Sequence, residues 1–554
     1  MKIKKNFFQK QGMNLINMES GIWLSVATCF MLFLYAPLEL LFTNQDEFWF
    51  DAYILTPVMF VVFVIVLAVS IVFFVLLDRC GEKPYRVGLV VYFTAFICTY
   101  VQGNFLAGGL PALDGTAIDW SLYTAERIKS IVLWVGVAAL VVIAFRKMHD
   151  GLFEKMVQVV SICMMLMLLI TLGTLAVSNH GFEKKPSMSV TRKDIFEMSQ
   201  TNNFVILLLD AVDAETLENM MSERTEYRDI FEDFTFYDNV VAAYPYTKHS
   251  IPYILSGEWF ENETEFRDYE VQAYATSPLF ERLENAGYKM AVYDAELLLD
   301  DGGMGRFENI LPNDRGIADK WAFARWQILM TGFKYAPYDL KRICVVNPEA
   351  FNDLKITPEG ETLFTASNTA FYDEVRYNEV TYTDENWFKF IHIDGGHLPF
   401  RYDENVNVID EEKGSYEGNL QACLTITRDY LSKLKESGVY DNSVIIVMAD
   451  HGYNGFDNPY GRQNPIFFVK GIGERHELYE SDAPISFVDL QDAYQRLLDG
   501  QDGDRIFDWQ SGDYRERRFL FYEYLKEDYM VEYIQPGYAH DTDMMYQTGN
   551  IYAQ

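Results

Sequence analysis

Five long apolar stretches constrain this chain more than any other feature of its sequence. They cover residues 22–42, 53–77, 87–106, 128–145 and 156–177. Each has about 18–25 residues, enough for a helix to cross a hydrocarbon layer of ~30 Å. Their interiors lack Lys and Arg, and a cleaved signal peptide would explain only the first of them. We therefore predict a transmembrane domain of five helices at residues 1–178, with five buried soluble helices as the alternative.

The charges between these stretches predict their orientation. Basic clusters lie before the first stretch, after the second and after the fourth: Lys2, Lys4, Lys5 and Lys10; Arg79, Lys83 and Arg86; Arg146, Lys147 and Lys155. The link after the first stretch, 44–51, is instead acidic and aromatic. The positive-inside rule then puts the N-terminus in the cytoplasm. Because five is odd, we expect the rest of the chain to be extracytoplasmic.

Charge is distributed unevenly along the chain. The sequence has 46 Lys+Arg and 80 Asp+Glu, a formal net charge of −34. Residues 1–178 hold 12 of each sign, so the whole acidic excess lies beyond residue 178. This balance excludes nucleic acid as a partner, because phosphate binding needs an excess of Lys and Arg.

Beyond residue 202 the pattern changes to short apolar runs separated by helix-like segments such as Asn419–Ser437. The runs are Phe204–Leu209, Met290–Tyr293, Trp387–Ile391, Ser443–Ala449 and Pro465–Val469. Continuous apolar runs of this length are typical of strands buried on both faces of a parallel sheet. Their alternation with helices predicts an α/β domain with a mostly parallel sheet.

Three of the predicted strands end in potential metal or phosphate ligands. The first is followed by Asp210, the third by His392 and the fourth by the pair Asp450-His451. Sites in open α/β sheets form in the crevice beyond the carboxyl ends of the strands. A single Asp in such a place is usually a turn or cap residue, but three strand ends together predict one site.

The stretch from Tyr246 to Gly257 carries a recognisable pattern. It contains Thr247-x-x-Ser-x-Pro, followed by apolar residues and Ser-Gly. This pattern resembles the nucleophile segment of the alkaline-phosphatase/sulfatase superfamily. The strand ending in Asp210, the His-x-x-Gly-x-His of His392–His397 and the Asp-His-Gly of Asp450–Gly452 follow the family's order. Five spans ahead of such a domain resemble the lipoteichoic-acid synthase and lipid A phosphoethanolamine transferase groups.

The resemblance implies a sulfatase-like (alkaline-phosphatase-like) domain with a metal-activated nucleophile. Thr247 would be both nucleophile and metal ligand, and Asp210, Asp450 and His451 would complete the ligand set. One divalent ion suits these oxygen and nitrogen donors, Mn²⁺ first and Zn²⁺ or Mg²⁺ as alternatives. Coordination lowers the pKa of a hydroxyl that is otherwise a poor nucleophile. Thr247 as a simple helix N-cap is the open alternative.

Two histidines are further implied by the resemblance. His392 and His397 would bind the phosphoryl group or protonate the leaving alkoxide. Their alternatives are a hydrogen-bonded core histidine for His392 and a loop residue for His397.

The sequence departs from the family pattern at three positions. Sulfatases carry Cys or Ser where this chain has Thr247, which disfavours sulfate-ester hydrolysis. The membrane transferases usually show Glu where this chain has Asp210. Many relatives have a second metal-binding His where Arg462 stands, so a second metal is disfavoured and Arg462 is a candidate phosphate clamp.

The predicted function is that of a membrane-bound phosphotransferase of the bacterial plasma membrane. It would move phosphoglycerol or phosphoethanolamine from a phospholipid donor to a surface glycan or lipid acceptor through a phospho-threonine intermediate. A catalytic domain attached to five spans favours at least one lipid substrate. The alternatives are a metal-dependent phosphodiesterase or phosphonate hydrolase, and a non-catalytic membrane scaffold with a degenerate site.

The expected division of the chain is a transmembrane domain at 1–178, a linker at 179–202 and an extracytoplasmic catalytic domain at 203–554. Within the last, the aromatic-rich segment 320–342 is either a helix on the membrane surface or a buried core helix. Cys344 and Cys423 could form one disulfide or none.

Overall fold

The computed structural model describes residues 15–111, 113, 118–149, 151–184, 188–295, 297, 299, 303–312, 316–453, 460–524 and 526–553. The predicted cytoplasmic residues Lys2, Lys4, Lys5 and Lys10 lie outside these ranges. The chain forms two compact units. The first, here called the helical unit, combines Met1–Lys185 with Asp314–Ile356, and the second, the α/β unit, combines Pro186–Asn313 with Thr357–Gln554.

The described part of the helical unit contains five helices that are long and apolar enough to cross a membrane. The first candidate span, Met18–Thr43, is built from helix α1 (Leu15–Phe30), a π-helical turn (Met31–Tyr35) and helix α2 (Ala36–Thr43). The other four are α3 (Ala52–Cys80), α4 (Glu82–Phe105), α5 (Thr124–Lys147) and α6 (Leu152–Ser178). The predicted number of apolar N-terminal helices is confirmed.

Two buried acidic side chains inside this unit have basic partners. Arg86 Nε lies 2.9 Å from Glu154 Oε1, and Lys334 Nζ lies 2.5 Å from Glu39 Oε1. Glu39 and Glu154 are both buried. Each pair lowers the cost of placing a charge in an apolar environment.

The returning segment, residues 316–356, brings the chain back into the helical unit. It contains α12 (Lys320–Tyr335), α13 (Tyr338–Lys341) and a 3₁₀-helix (Pro348–Leu354). The side chain of Asp319 caps α12 by accepting hydrogen bonds from the amides of Trp321 and Ala322. Helix α12 packs on α2, α3 and α4, and α13 packs on α5.

Two close contacts show how tightly the returning segment packs. The ring centroid of Phe323 lies 4.8 Å from that of Phe50. At Gly103 a Cβ atom would lie 2.2 Å from the ring of Tyr335, so a side chain at this position would displace that ring. One face of α12 is therefore buried, as the second alternative for 320–342 expected. The core that this face joins is that of the helical unit.

The largest sheet in the described part of the α/β unit has seven strands, namely β3 (Asn203–Leu209), β4 (Thr235–Tyr237), β6 (Tyr288–Tyr293), β9 (Asn386–Ile393), β10 (Ser443–Met448), β11 (Phe467–Lys470) and β12 (Tyr479–Ser481). Their order in the sheet is β12-β4-β11-β10-β3-β9-β6. The central strands β10, β3, β9 and β6 are parallel, whereas β11 runs antiparallel to β10 and to β4. The predicted α/β fold with a mostly parallel sheet is confirmed.

Helices cover both faces of this sheet, which explains the continuous apolar runs. All seven residues of β3 are buried, and alternate side chains belong to two different hydrophobic clusters. The helices of the unit are α7 (Ala214–Glu223), α8 (Thr225–Asp229), α9 (Thr247–Ser256), α10 (Phe266–Ala275), α11 (Pro278–Asn285), α14 (Asn368–Tyr377), α15 (Tyr416–Glu436) and α16 (Leu490–Leu498).

The remaining strands form small sheets at the edges of the unit. A three-stranded sheet near the C-terminus contains β14 (Glu516–Phe521), β15 (Tyr529–Pro536) and β16 (Tyr546–Ala553). The short strands are β1 (Met188–Val190), β2 (Glu197–Ser199), β5 (Val240–Val241), β7 (Ile310–Pro312), β8 (Thr381–Thr383) and β13 (Ile485–Ser486). Strands β1 and β2 lie within the stretch predicted as a linker, where they pair with β7 and β8. Cys344 and Cys423 are free thiols.

Candidate active site

The four central parallel strands deliver polar side chains to one edge of the sheet. Asp210 follows β3, Asp294 follows β6, His392 lies at the end of β9, and Asp450 with His451 follows β10. Asp210, Asp450, His451 and His392 are all at most 7% exposed. The carboxyl edge of the sheet therefore contains an unusually dense group of buried ionisable residues.

The backbone around Asp210 is shaped to bring these groups together. Ala211 adopts a left-handed conformation with φ of 55°, which turns its amide toward Asp450 Oδ1 at 3.1 Å. The turn after β9 approaches Asp210 at Gly395, where a Cβ atom would lie 2.4 Å from the Asp210 amide nitrogen. The paired glycines after His392 are thus explained by close backbone contact.

Asp210, Asp450 and His451 form a cluster able to hold a metal ion. One ligand atom from each lies within 4.8 Å of the other two. His451 Nε2 is 3.7 Å from Asp210 Oδ1 and 3.4 Å from Asp450 Oδ2. The two carboxylate oxygens are buried and make no hydrogen bond. His451 Nδ1 lies 2.7 Å from the carbonyl oxygen of Gly452, which can only accept, so Nε2 keeps its lone pair for a ligand. The donor set fits a divalent cation.

Electrostatics at the cluster agree with this fit. Burial, followed by the negative charge of Asp210, raises the pKa of Asp450. Burial also raises the pKa of Asp210, but the imidazoles of His397, His392 and His451 outweigh it, and the net shift is downward. Burial lowers the pKa of His451, which favours the neutral imidazole that binds metals. Two adjacent buried carboxylates repel each other, and a cation between them removes that repulsion.

Thr247 lies beside this cluster at the first position of α9. Its hydroxyl donates to Asp210 Oδ2 at 3.3 Å, and its side chain is partly exposed. The chain arrives extended at Tyr246, and Gly257 ends the helix with φ of 75°. The amides at a helix N-terminus point outward and favour an anion, so α9 directs its positive end to the Thr247 hydroxyl.

His392 is held by a residue that the sequence reasoning missed. His392 Nδ1 lies 3.1 Å from Asp294 Oδ1, and His392 Nε2 lies 3.7 Å from Asp210 Oδ2. Burial lowers the pKa of His392, but hydrogen bonds to Asp210 and Asp294 raise it well above its ordinary value. The signal was available, because Asp294 directly follows the apolar run Met290–Tyr293 just as Asp210 follows its own.

The last two candidate residues occupy different environments. His397 is exposed, and its Nδ1 lies 2.5 Å from the carbonyl oxygen of Leu398. Arg462 is buried, donates to the carbonyl oxygen of Pro245 at 2.6 Å and lies 4.4 Å from the ring centroid of Tyr246. Arg462 thus supports the backbone that leads into Thr247. The neighbouring His249 is buried against Tyr522 Oη at 2.6 Å and has a packing role.

This chain is similar to one protein family and to several solved structures. The family model described as Sulfatase matches residues 202–479, half of the chain. No curated protein matches the sequence. Similar solved structures include the lipoteichoic acid synthase LtaP from Listeria monocytogenes, with 13% identity and a TM-score of 0.33 over 63% of this chain and 84% of that one.

Two further solved structures have comparable similarity. The phosphonate monoester hydrolase SpPMH from Silicibacter pomeroyi has 17% identity and a TM-score of 0.33 over 63% of this chain and 89% of that one. A protein in the alkaline phosphatase superfamily from Vibrio parahaemolyticus has 12% identity and a TM-score of 0.35 over 66% and 80%.

Proposed function

The chain belongs to the sulfatase family, and on this premise we propose that it is a membrane-bound phosphotransferase. It moves a phosphoglycerol or phosphoethanolamine group from a phospholipid to a surface glycan or lipid. The single observation that carries the proposal is the Thr247 hydroxyl, 3.3 Å from Asp210 and beside the Asp210, Asp450 and His451 cluster. A threonine keeps its hydroxyl, so it supports an ester intermediate with phosphorus rather than formylglycine chemistry with sulfate.

The first displacement forms the bond between Thr247 Oγ1 and phosphorus. The bond between phosphorus and the diacylglycerol oxygen of the donor breaks, and diacylglycerol leaves with a proton supplied by His397, the more exposed of the two histidines. Asp210 accepts the hydrogen bond of the Thr247 hydroxyl before attack and takes its proton as the bond to phosphorus forms. The N-terminus of α9 stabilises the negative phosphoryl oxygens.

The second displacement reverses these roles. An acceptor hydroxyl attacks phosphorus and the Thr247 ester breaks. The proton of the acceptor goes to His397, and Asp210 returns its proton to Thr247 Oγ1. His392 is buried between Asp294 and Asp210, and we assign it the role of holding Asp210 in place. A divalent cation held by Asp210, Asp450, His451 and Thr247, with Mn²⁺ as first choice, would lower the pKa of the Thr247 hydroxyl and offset phosphoryl charge.

The membrane setting supports a lipid donor. The five candidate spans anchor the chain, and the charge pattern of their links favours a multi-pass protein of the bacterial plasma membrane with its catalytic unit extracytoplasmic. We propose that the phospholipid donor comes from the extracytoplasmic leaflet. An acidic surface favours a neutral or zwitterionic acceptor over an anionic polymer.

Intact-protein mass spectrometry tests the proposal. Purified protein with Mn²⁺ is incubated with phosphatidylglycerol or phosphatidylethanolamine and then acid-quenched. We expect diacylglycerol release and an added mass on Thr247 that identifies the transferred group, with no adduct in Thr247→Ala. Release of free phospho-alcohol without acceptor transfer would instead support the hydrolase alternative. No turnover with Mn²⁺, Zn²⁺ or Mg²⁺ would support the scaffold.

A further inference from the structure

The returning segment, residues 316–356, exposes an apolar face as well as burying one. Helix α12 buries Phe323, Gln327 and Met330 in the helical unit. Its opposite face carries Trp321, Arg325 and Ile328, at the spacing i, i+4 and i+7, and all three are exposed. Trp321 is 73% exposed, a large value for the largest apolar side chain.

The exposed apolar surface continues after the helix. Leu340, Ile343 and Val345 are exposed, and Ile343 is 72% exposed. Single exposed apolar residues are normal on soluble proteins, but five large ones within 25 residues are a local excess that favours an apolar partner.

The charge of this segment is opposite to that of the chain. Residues 320–345 contain five Lys and Arg and one acidic residue, Asp339, in a chain with a net charge of −34. Two of the five do not add to the exposed charge, because Lys334 is paired with Glu39 and Lys341 is buried. Asp339 forms an ion pair with Arg127 at 2.8 Å. Lys320, Arg325 and Arg342 are exposed beside the apolar residues. An anionic partner is therefore favoured locally.

The position of the segment identifies the kind of partner. Its contacts lie at one end of each of four candidate spans, namely Glu39 near the end of α2, Phe50 before α3, Gly103 near the end of α4 and Ser130 near the start of α5. Antiparallel spans bring these four ends to one side, the side on which the chain leaves α6. The ends of membrane-spanning helices lie at the interface between the hydrocarbon layer and the lipid headgroups.

We propose that residues 320–345 form an interfacial anchor that binds anionic phospholipid. Trp321, Ile328, Leu340, Ile343 and Val345 enter the outer part of the acyl layer. Lys320, Arg325 and Arg342 bind lipid phosphates, each contributing through attraction to a negatively charged membrane surface. The inference rests on the proposed membrane topology and is independent of the reaction at Thr247.

Fluorescence of the full-length protein in nanodiscs tests the apolar contacts. The emission of Trp321 is obtained by subtracting that of Trp321→Phe from the native protein. We expect lipids brominated on their acyl chains to quench this difference signal. Trp509, in the α/β unit, is the matched control, and its Trp509→Phe difference signal should keep its intensity. An unquenched Trp321 signal would overturn the anchor.

Lipid retention tests the basic residues. Phosphatidylserine serves as the anionic probe because it is not a proposed donor, and phosphatidylcholine is the neutral reference. We expect Arg325→Gln/Arg342→Gln to bind phosphatidylserine about tenfold more weakly, with little change for phosphatidylcholine. The matched control is Arg428→Gln/Arg505→Gln, two exposed arginines of the α/β unit. Equal loss of both lipids, or no loss, would contradict recognition of the anionic headgroup.

Discussion

Buried charge is arranged differently at two places in this chain, one in each unit. In the helical unit, Arg86 with Glu154 and Lys334 with Glu39 are ion pairs in which each charge is offset by its partner. In the α/β unit, the carboxylates of Asp210 and Asp450 face the same small volume and leave oxygens without a hydrogen bond. The first arrangement pairs opposite charges, whereas the second brings like charges together in a way that fits a cation.

This difference separates structural from functional polar groups. A paired charge inside an apolar unit stabilises a particular packing of helices. A group of like charges at the end of a parallel sheet costs stability, and such a cost is typical of sites that bind an ion or a substrate. The following predictions test the contrast, beginning with the largest expected effect.

The proposed nucleophile, Thr247, should be the most sensitive position. We expect Thr247→Ala to lower turnover of a phospholipid donor by at least about 10³-fold, because it removes the hydroxyl that would form the covalent intermediate. The measurement is diacylglycerol release. Thr276→Ala is the control, since its hydroxyl donates only to the carbonyl of Gln272 on an exposed helix end. Wild-type turnover in Thr247→Ala would show that Thr247 is not the nucleophile of the reaction.

Asp450→Asn should have opposite effects in the metal-free and metal-loaded protein. Without metal, the substitution removes repulsion with Asp210 and keeps the oxygen that accepts a hydrogen bond from the Ala211 amide. The free energy of unfolding should therefore rise by about 1 kcal/mol. Metal affinity should fall by about 100-fold, because a ligand is lost. Calorimetry with Mn²⁺ and EDTA measures both. If Asp450→Asn raised stability in the metal-loaded protein as well as in the metal-free protein, Asp450 would not be a metal ligand.

In the helical unit, removing one partner should be worse than removing both. Lys334→Met leaves Glu39 buried and unpaired, and we expect a loss of about 2 kcal/mol in unfolding free energy. Glu39→Gln combined with Lys334→Met should recover part of this loss. The exposed pair of Lys129 and Glu126 is the control, where Lys129→Met should cost less than about 0.5 kcal/mol. If the losses of the two single substitutions simply added in the double variant, Glu39 and Lys334 would not be energetically coupled.

Asp213 should give the smallest effect, visible as a pH dependence. Burial raises its pKa to about 7, although Thr216 donates two hydrogen bonds to it. Because the folded state holds this proton to higher pH than the unfolded chain, stability should decline as pH rises from about 4 to 7. Asp213→Asn keeps the cap of α7 and should flatten this decline in thermal unfolding. An unchanged slope would assign the decline to other groups.

The sequence was sufficient for the elements whose chemistry is local. The continuous apolar run before Asp210 predicts β3 because a strand buried on both faces needs no polar residue. The pairing of Asp294 with His392 depends on which strands are neighbours, and β6 lies beside β9 although nearly a hundred residues separate them. The partner of the aromatic segment 320–342 was equally hidden, because an apolar helix face does not state which unit it will join.

The return of the chain to the helical unit changes what a single proteolytic cut can achieve. The backbone crosses between the two units three times, at residues 185–186, 313–314 and 356–357. A protease acting between Ser178 and Met188 would leave residues 316–356 packed on the candidate spans. Release of the α/β unit from the helical unit would therefore require further cuts on both sides of that segment, or its separation from the candidate spans.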